Sequence, residues 1–588
     1  MINEIILRDA VRGQWLRFQH PSAILTTSDC GEVVRVLAEV ETAVRAKGVF
    51  AVGFISYEAA PAFDTAFEVV KGHSFPLVWF GLYSQPSIIS LPQKSPRETQ
   101  LLWKANINQT AYGQAFRKIK NHIAEGDCYQ ANYSFRLTSK APESPFSLFT
   151  DLIAAQKAPY GAYIETDDWA ILSASHELFF QLNGNTIHSR PMKGTAPREL
   201  TSEDDRQQSE TLRQSEKNRA ENVMIVDMVR HDLGKIAVTG SVRVPSLYSI
   251  EKYPTLWQMT STVSAETKAG WAAIMGALFP PASVTGAPKA RVTQIIAQTE
   301  TSPRNIYTGT IGFLAPNREA QFNVAIRTVL VNKKTKKADY GIGSGLVWDS
   351  DEKTEYDECR TKAEILTRRV PDFSLLETIL WTPEDSFFLL DRHLARLKES
   401  SDYFGFEANP ETVRDGLYAA ATHFKHVPTK VRVLIKEDGE MAIEAQVLPE
   451  AALHKQLVVE VARQPVNSAN PFLYHKTTHR AVYASHQTNS SNVDDVLLWN
   501  ERGEITEFRA ANVAVEMDGQ LITPPVRCGL LAGTFRAHLL ENKKIKEGVL
   551  KLDDLKKAGG IFSLNSIRKM KRVHLRIASK TTPPPVKK

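Results

Sequence analysis

The stretch from Phe279 to Lys289 reads Phe-Pro-Pro-Ala-Ser-Val-Thr-Gly-Ala-Pro-Lys, and with four other short blocks it decides the fold of the first part of the chain. The other blocks, in chain order, are Pro191–Thr195, Glu221–Gly234, Ala325–Thr328 and Gly341–Gly345. Together they contain a lysine in a predicted turn, acidic residues at helical spacing and a glycine-rich strand end. A site for a small anionic substrate needs such features, although none of them is decisive alone.

The bulk composition predicts a folded, soluble, multidomain protein. A chain of 588 residues is too long for one hydrophobic core, so we expect about two large domains or three to four smaller ones. No apolar run approaches the ~20 residues needed to span a bilayer, and the first residues include Glu4 and Asp9. The cysteines are far apart, without a CxxC pattern, which predicts neither a disulfide framework nor a zinc site. We therefore expect a cytoplasmic protein without a membrane segment.

The net charge of +6 is small for this length. Much of it lies in Lys569–Arg576 and in the tail, residues 581–588. Charge of this kind is typical of a solvated face, and we expect no nucleic-acid partner.

Alternating strand-like and helical stretches predict a mixed α/β fold in two domains. Gly48–Ile55 is strand-like and Tyr112–Glu125 helical, the pattern of a mixed domain. A helical stretch from Glu355 ends before Pro371, because proline disfavours helix at the residue before it. A new strand-like run starts at Phe373, followed by a helix that carries Arg392–Leu397. We predict domains at 1–369 and 370–580, with a flexible tail at 581–588.

Acidic residues in the first domain are candidate metal ligands. Glu355 and Glu358 are three residues apart, so on a helix they share a face and could hold Mg²⁺ with a third carboxylate. A solvated acidic helix is the alternative interpretation. Glu221 begins an apolar-periodic stretch, where an ordinary helix N-terminus is equally plausible, since acids suit the helix dipole there.

The five blocks, in this order over roughly residues 15 to 365, resemble the chorismate-utilising family that includes anthranilate synthase and aminodeoxychorismate synthase. The resemblance implies that Lys193 attacks C2 of chorismate while Glu177 protonates the departing C4 hydroxyl, and that ammonia then enters at C4. Lysine at this position implies aminodeoxychorismate synthase, since anthranilate synthase has a small residue there. Lys193 must be neutral and Glu177 protonated, and these opposite needs suggest separate microenvironments.

The same resemblance implies the rest of this site. Mg²⁺ would be held by Glu221 and Glu358, with Glu355 nearby, and Arg327 would clamp a substrate carboxylate with two hydrogen bonds. A surface arginine on a strand is the ordinary alternative for Arg327. Backbone amides would supply uncharged donors to the substrate from two short segments, which are Thr285 with Gly286 and Gly343 with Ser344 and Gly345.

Two features concern the surroundings of this site. Gln258 stands where many relatives have histidine, which puts a histidine acid-base role there in doubt. The chain shows no glutamine amidotransferase region with its Cys-His machinery, so we expect ammonia from a separate glutaminase subunit or from solution.

Four residues of the second domain suggest a pyridoxal phosphate site. Lys476 lies among aromatic and hydroxyl neighbours, although a lone lysine is usually just solvated. A carboxylate at Glu507 suits the pyridinium nitrogen, and Arg396 with Thr534 suits the phosphate. Residues 373 to 575 thus resemble the branched-chain aminotransferase and aminodeoxychorismate lyase type. That resemblance implies that Lys476 binds the cofactor covalently and moves the proton.

The shared site leaves lyase and aminotransferase open. The product implied for the first domain carries an amine at C4 and an enolpyruvyl ether at C3, which favours a lyase that releases pyruvate and forms 4-aminobenzoate for folate synthesis. An inactive or aminotransferase-type second domain is the alternative, and a binding protein without turnover is a third. The chain lacks the usual hairpin before Phe373 and has Lys569 where glycine is commoner. The resemblance also suggests a homodimer through the second domain.

Overall fold

The computed structural model describes residues 4–72, 74–91, 101–369, 371–449, 455–487 and 492–576, and the tail at 581–588 lies outside them. The chain divides into two compact units. The first comprises Met1–Arg198 and Gln208–Val370, and the second comprises Glu199–Gln207 and Pro371–Lys588. Each unit mixes helices and sheets, as the sequence predicts. No pattern within residues 199–207 indicates that they group with the second unit.

Two large antiparallel sheets form the centre of the first unit. Across the first sheet the strands are Gly286–Ala287, Gln130–Lys140, Lys337–Leu346, Thr328–Asn332, Trp169–Ser175, Tyr160–Glu165, Glu4–Asp9, Gln14–Phe18 and Ser87–Ile89, with Lys104–Ala105 paired to the second of them. Across the second sheet they are Met192–Pro197, Leu256–Glu266, Thr186–Arg190, Leu178–Asn183, Glu319–Val324, Thr310–Leu314, Phe50–Ile55, Val78–Tyr83 and Ala23–Thr27, with Arg243–Lys252 paired to the second of them.

Helices cover the outer face of each sheet. One apolar cluster joins residues of both sheets, such as Ile5 and Phe54, and therefore lies between them. Two further clusters join each sheet to its helices. Among the described residues of this unit, the α-helices are Val33–Lys47, Gln109–Ala124, Pro145–Gln156, Glu216–Gly234, Trp271–Leu278, Lys289–Thr299 and Glu352–Ala363. The helix Ser202–Gln214 starts in the segment Glu199–Gln207 of the second unit and ends in the first.

Local sequence explains the helix ends. Asn108 caps the second helix by accepting a hydrogen bond from the backbone N–H of Ala111, as asparagine does at helix starts. Gly48 ends the first helix in the left-handed conformation, with φ of 64°, where glycine carries no steric penalty. The predicted helix at 112–125 and strand at 48–55 are confirmed, with bounds Gln109–Ala124 and Phe50–Ile55.

The second unit contains a small antiparallel sheet and a closed ring of strands. The small sheet has the order Ser386–Phe387, Leu375–Thr382, Thr429–Ile435 and Met441–Val447. The other sheet has the order Ile505–Phe508, Asp495–Trp499, Leu457–Val461, Lys569–Leu575, Gly560–Asn565, Asn512–Met517, Gln520–Thr523 and Lys546–Glu547. Glu507 pairs with Asn512 and closes the first six strands into a ring, whose apolar side chains form one cluster.

Helices Leu390–Phe404 and Pro410–Ala421 pack on the small sheet around one apolar cluster. Among the described residues of this unit, the shorter α-helices are Ala481–Ala484 and Thr534–Glu541. The predicted strand after Phe373 and the helix around Arg392–Leu397 are confirmed as Leu375–Thr382 and Leu390–Phe404. Within the described ranges, no helix has both the length and the apolar character required to cross a lipid bilayer.

Candidate active sites

Lys193 lies in the edge strand Met192–Pro197 and not in a turn, so the prediction of a turn is wrong. A β-bulge interrupts the pairing of this strand between Met192 and Thr195, so the local sequence resembles a turn although the chain continues as a strand. The amine reaches the strand Lys337–Leu346 of the other sheet. A Cβ added to Gly345 would stand 2.5 Å from Lys193 Nζ, so any larger residue there would displace the amine from its present position.

Desolvation lowers the pKa of Lys193, an effect that the nearby cation Lys362 strengthens and that Glu221, Glu358 and Glu177 oppose. Among the described residues, no carboxylate forms an ion pair with the amine. A lysine in such surroundings is more readily neutral than one in water.

Glu177 lies in the short connection between strands Trp169–Ser175 and Leu178–Asn183 and is 2% exposed. Desolvation raises the pKa of Glu177 to about 7, against the opposing effects of Ser283 and Lys193. The hydroxyl of Ser283 donates a hydrogen bond of 2.5 Å to Glu177 Oε1. Ser283 comes from the Phe279–Lys289 block, so this block positions a candidate acid.

Lys193 and Glu177 affect each other's pKa. The expectation of separate microenvironments is therefore wrong. Both groups lie in one poorly solvated region, and the same desolvation favours the neutral form of each. A neutral amine and a protonated carboxyl can thus coexist without two differently built pockets.

The glycine-rich segment forms the end of the strand Lys337–Leu346. This strand pairs with Gln130–Lys140 along its whole length, whereas its pairing with Thr328–Asn332 stops at Tyr340. One backbone edge of residues 341–346 therefore has no strand beside it and can offer main-chain groups to a ligand. Lys362 Nζ already donates to Gly343 O, at 3.0 Å.

The hydroxyl of Ser344 is engaged by other side chains of the first unit. Its Oγ lies 3.3 Å from the hydroxyl of Tyr112. Desolvation and the charge of Glu358 raise the pKa of Glu355, and hydrogen bonds with Ser350 and Ser344 oppose this rise. Thr285 is also engaged, because its hydroxyl donates to Pro281 O at 2.8 Å. The hydroxyls of these two residues therefore already have partners within the protein, and their backbones can face a substrate.

Gly286 lies one strand away from the glycine-rich segment. It pairs with Ala131, which itself pairs with Leu346. Thr285 O accepts a hydrogen bond from Asn132 N, at 2.9 Å. The Thr285–Gly286 and Gly343–Gly345 segments therefore flank the same strand end, which starts at Gln130.

Arg327 is 7% exposed and precedes the strand Thr328–Asn332, so the interpretation as a surface arginine on a strand is wrong. Its Nη1 donates to the main-chain oxygen of Lys362. Its φ of 52° lies in the left-handed region, which is uncommon for a non-glycine residue and costs conformational energy. Arg327 forms no ion pair with a carboxylate in the described part of the chain, which leaves its charge for an anionic ligand.

Three predicted metal ligands come from two helices. Glu221 lies in the second turn of Glu216–Gly234, not at its N-terminus, so the helix-dipole interpretation is wrong. Glu355 is 6% exposed and accepts a hydrogen bond of 2.7 Å from Ser350. Desolvation raises the pKa of Glu221, Lys193 and Lys217 oppose this rise, and the charges of Glu355 and Glu358 add to it. The three carboxylates are therefore within electrostatic range of one another.

A lysine that the sequence interpretation overlooked holds Glu358. Lys362 Nζ lies 2.6 Å from Glu358 Oε1. Desolvation opposes the charge of Glu358, but Lys362 lowers the pKa of this carboxyl below its usual range. The three predicted ligands do not converge on one point. Among the described residues, only His122, Glu125 and Asp127 bring three potential ligand atoms within 4.8 Å of one another, and Arg291 pairs with Asp127 there.

Two glutamines also lie near Lys193. The sequence interpretation did not include Gln130 and gave no role to Gln258. Gln130 is fully buried, and its amide nitrogen and oxygen have no partner among the described residues. Its Nε2 would lie 2.6 Å from a Cβ on Gly345, so it shares the space next to Lys193. Gln258 donates to Gly194 O at 2.8 Å. Only the folded chain brings these side chains together, since their sequence positions carry no shared pattern.

A cavity of about 620 Å³ in the second unit is lined by all four residues predicted there, Lys476, Glu507, Arg396 and Thr534. Desolvation, followed by the charge of Arg396, lowers the pKa of Lys476 to about 8. Roughly a tenth of the amine is therefore neutral at pH 7, far more than for a lysine of ordinary pKa, and imine chemistry requires this neutral form.

Glu507 is 4% exposed at the seam of the strand ring. Desolvation raises the pKa of Glu507 to about 8. It accepts hydrogen bonds from Tyr483 Oη at 2.8 Å and from Asn512 Nδ2 at 3.1 Å. A bound cation, such as a protonated ring nitrogen, would favour the ionised form of this carboxyl.

Arg396 is held by a buried carboxylate that the sequence interpretation missed. Its Nε and Nη2 donate to the two oxygens of Glu377, at 2.9 and 2.6 Å. His393 Nδ1 lies 2.7 Å from Glu377 Oε2, and His393 Nε2 lies 3.3 Å from Thr534 Oγ1. Against desolvation, Arg396 and His393 lower the pKa of Glu377 to about 2. Glu377 and His393 thus link the two groups predicted to bind phosphate.

Two known families match this chain, one in each of the two regions described above. Residues 89–368 match the chorismate binding enzyme family, and residues 374–575 match the amino-transferase class IV family. The chain joins a chorismate binding region to an amino-transferase class IV region. The first match begins well after residue 15, where the sequence resemblance was expected to start.

The chorismate binding region resembles aminodeoxychorismate synthase component 1 of Salmonella typhimurium, with 39% identity over 269 residues, 45% of this chain and 59% of the relative. The same enzyme component of Klebsiella aerogenes is 40% identical over 258 residues, 44% of this chain and 57% of the relative. The chain thus spans less than two thirds of these relatives. Anthranilate synthase component I from Streptococcus pneumoniae shares the fold, with 22% identity and a TM-score of 0.50 over 62% of this chain and 90% of that one.

In the class IV region, we predict that Glu377→Gln weakens the binding of pyridoxal phosphate, the cofactor expected from the sequence. The substitution removes the charged partner that orients Arg396, and hydrogen bonds to charged groups carry enough free energy to change affinity by on the order of tenfold or more. The apparent Kd is measured by absorbance titration of the cofactor-free protein.

Glu541→Gln is the matched control. Glu541 pairs with Arg392, which lies on the same helix as Arg396, and the Glu541 side chain is 67% exposed. This control should leave the Kd unchanged. Equal affinity of the wild type and Glu377→Gln would show that Glu377 does not orient Arg396 for the cofactor.

Proposed function

We propose that this chain makes 4-aminobenzoate from chorismate and ammonia in two steps. The chorismate binding region would form 4-amino-4-deoxychorismate, and the class IV region would eliminate pyruvate from it. One observation carries the proposal: Lys193 is desolvated, lacks an ion pair in the described structure and lies beside a carboxyl whose pKa is about 7. The similarity to aminodeoxychorismate synthase component 1 supports it.

In the first step, the neutral amine of Lys193 attacks C2 of the ring. The ring double bonds shift, the C4–O bond breaks, and Glu177 gives its proton to the departing hydroxyl, which leaves as water. Ammonia then attacks C4, the double bonds shift back, and Lys193 leaves as the amine. The new amine therefore stands para to the ring carboxylate.

The surrounding residues would bind the two substrate carboxylates. Arg327 offers a buried guanidinium, and the open edge of residues 341–346 offers main-chain groups. Glu221 and Glu358 would hold Mg²⁺, with Glu355 fixed nearby by Ser350. This oxygen-only set suits Mg²⁺, which is commonly held by one or two carboxylates and keeps several waters. The ion would supply positive charge opposite the substrate carboxylates.

In the second step, Lys476 would take the proton from C4 of the intermediate, after which the C3–O bond breaks and enolpyruvate departs as the ring becomes aromatic. Protonation of the enolpyruvate at its methylene carbon then gives pyruvate. Pyridoxal phosphate, when bound, supplies an electron sink for the carbon that carries the substrate amine. The cavity fits this cofactor, since Glu507 would face the ring nitrogen while Arg396 and Thr534 would hold the phosphate. Lys476, with a pKa of about 8, suits proton transfer near neutral pH.

Ammonia would come from a glutamine amidotransferase subunit. The similar enzymes are named component 1, and the matched regions of this chain account for the two proposed steps without a glutaminase. The homodimer stays a prediction from the sequence resemblance.

The products formed by lysine variants test the proposal. Purified full-length protein is incubated with chorismate, Mg²⁺, pyridoxal phosphate and an ammonium salt, and the products are separated by chromatography. We expect 4-aminobenzoate and pyruvate from the wild type, 4-amino-4-deoxychorismate alone from Lys476→Ala, and no aminated product from Lys193→Ala.

Lys398→Ala is the control, since this lysine lies on the surface and pairs with Asp402, and it should match the wild type. Wild-type protein that stops at 4-amino-4-deoxychorismate would refute the lyase step. Anthranilate as the product would refute the role of Lys193.

We also predict the pH dependence of the amination step, measured as kcat/KM in the Lys476→Ala background. Glu177 has a raised pKa of about 7, so the proton that it must donate is present below this pH and lost above it. Lys193 has a lowered pKa and must be neutral, so low pH removes the nucleophile. The rate should therefore fall on both sides of an optimum, with apparent pKa values that belong to the pair.

Glu177→Gln should reduce the rate by on the order of 10²-fold or more and remove the decline that loss of its proton causes at higher pH. An unchanged high-pH limb in this variant would show that another group donates the proton.

A further inference from the structure

The bulge that carries Lys193 has a defined geometry. Met192 is opposite Thr260 and Thr195 is opposite Gln258, so Lys193 and Gly194 together face the single residue Met259. An extra residue of this kind bends the strand and changes the direction of its side chains. The position of the Lys193 amine therefore depends on whatever holds the bulge in place.

Gln258 holds the residues that follow Lys193. Its Nε2 donates to Gly194 O at 2.8 Å, and its Oε1 accepts from Thr195 Oγ1 at 3.2 Å. Gln258 is 6% exposed, so water competes little for these bonds. Both ends of one amide are thus used on two consecutive residues of the bulge.

A second amide supports the bulge from the helix Glu216–Gly234. Asn222 Nδ2 lies 3.4 Å from Lys193 O, and Asn222 Oδ1 accepts a hydrogen bond of 2.5 Å from Ser261. Gly194 has φ of 93°, and a Cβ there would stand 3.0 Å from Asn218 Cβ. The bulge is thus a tightly built feature, in which Gln258 makes the shorter contact with the main chain.

We propose that Gln258 is a positioning residue for amination, which fixes the Lys193 bulge and so directs the amine past Gly345 to the substrate. The inference rests on the proposed role of Lys193 as nucleophile. The amide of a glutamine neither gains nor loses a proton near physiological pH, so Gln258 acts through the lysine and not as an acid or base. The role predicts an effect on the rate of the chemical step and little effect on substrate binding.

The test compares Gln258→Met with wild type for amination of chorismate with ammonium, both in the Lys476→Ala background. Methionine keeps the length of the side chain and removes both hydrogen bonds. We expect kcat to fall by on the order of 10- to 100-fold, because a small misplacement of a reacting group has effects of this size. KM for chorismate should stay within about twofold of wild type.

Gln321→Met is the matched control. Gln321 is also 6% exposed, it bridges Ala10 N and Arg8 O at 2.9 and 2.8 Å, and three strands of the same sheet separate it from the strand of Lys193. We expect a similar loss of Tm in both variants and a loss of kcat in Gln258→Met alone. Thr195→Val should lower kcat less, and adding it to Gln258→Met should have little further effect, since both act through one bulge.

The outcomes separate this inference from the proposed function. Amination that persists in Lys193→Ala would refute the nucleophile and the positioning role together. Loss of amination in Lys193→Ala with full kcat in Gln258→Met would refute only the positioning role. Equal losses of kcat in Gln258→Met and Gln321→Met, or a rise in KM alone, would also overturn it.

Discussion

Desolvation of a primary amine is the constraint on which the first site depends. Lys193 can act as a nucleophile only when neutral, and in water a lysine is almost entirely charged at neutral pH. The chain meets this need by directing the amine across to a strand of the other sheet, where Gly345 leaves room for it. The carboxylates Glu221 and Glu358 lie near enough to affect the amine without pairing with it. A direct ion pair would favour the charged form.

In the second unit, desolvation also lowers the pKa of a lysine, but different residues surround it. Lys476 is also desolvated, and the nearby charge of Arg396 lowers its pKa further. Arg396 in turn depends on Glu377, whose two oxygens it contacts and whose pKa it lowers. The pKa of each lysine therefore depends on neighbouring groups that do not react themselves.

Much of the fold and of the site composition could be predicted from the sequence. The strand Phe50–Ile55 and the helices Gln109–Ala124 and Leu390–Phe404 follow from local periodicity, which adjacent residues carry. Lys476, Glu507, Arg396 and Thr534 line one cavity, as their motif suggested. The strand position of Lys193 could not be foreseen, because glycine and proline near it suggest a turn, whereas pairing with Leu256–Glu266 makes it a bulged strand.

Residues that act through others were also beyond sequence reasoning. Ser283 forms a hydrogen bond with Glu177, which is 106 residues away in the sequence, and Gln258 forms one with Gly194, which is 64 residues away. Nothing in either local sequence reports such a contact, since it arises only when distant strands and loops come together. The burial of Arg327 and the second-turn position of Glu221 have the same origin, because burial and helix bounds depend on tertiary packing.

The most direct test of the account is to trap the amine of Lys193 on its substrate. Protein is mixed with chorismate and Mg²⁺ without any source of ammonia, quenched, and examined by intact-protein mass spectrometry and peptide mapping. The account predicts a covalent adduct of the dehydrated substrate on the peptide that contains Lys193, which disappears when ammonium is added before quenching. Full amination activity without any adduct on that peptide, together with activity in Lys193→Ala, would contradict it.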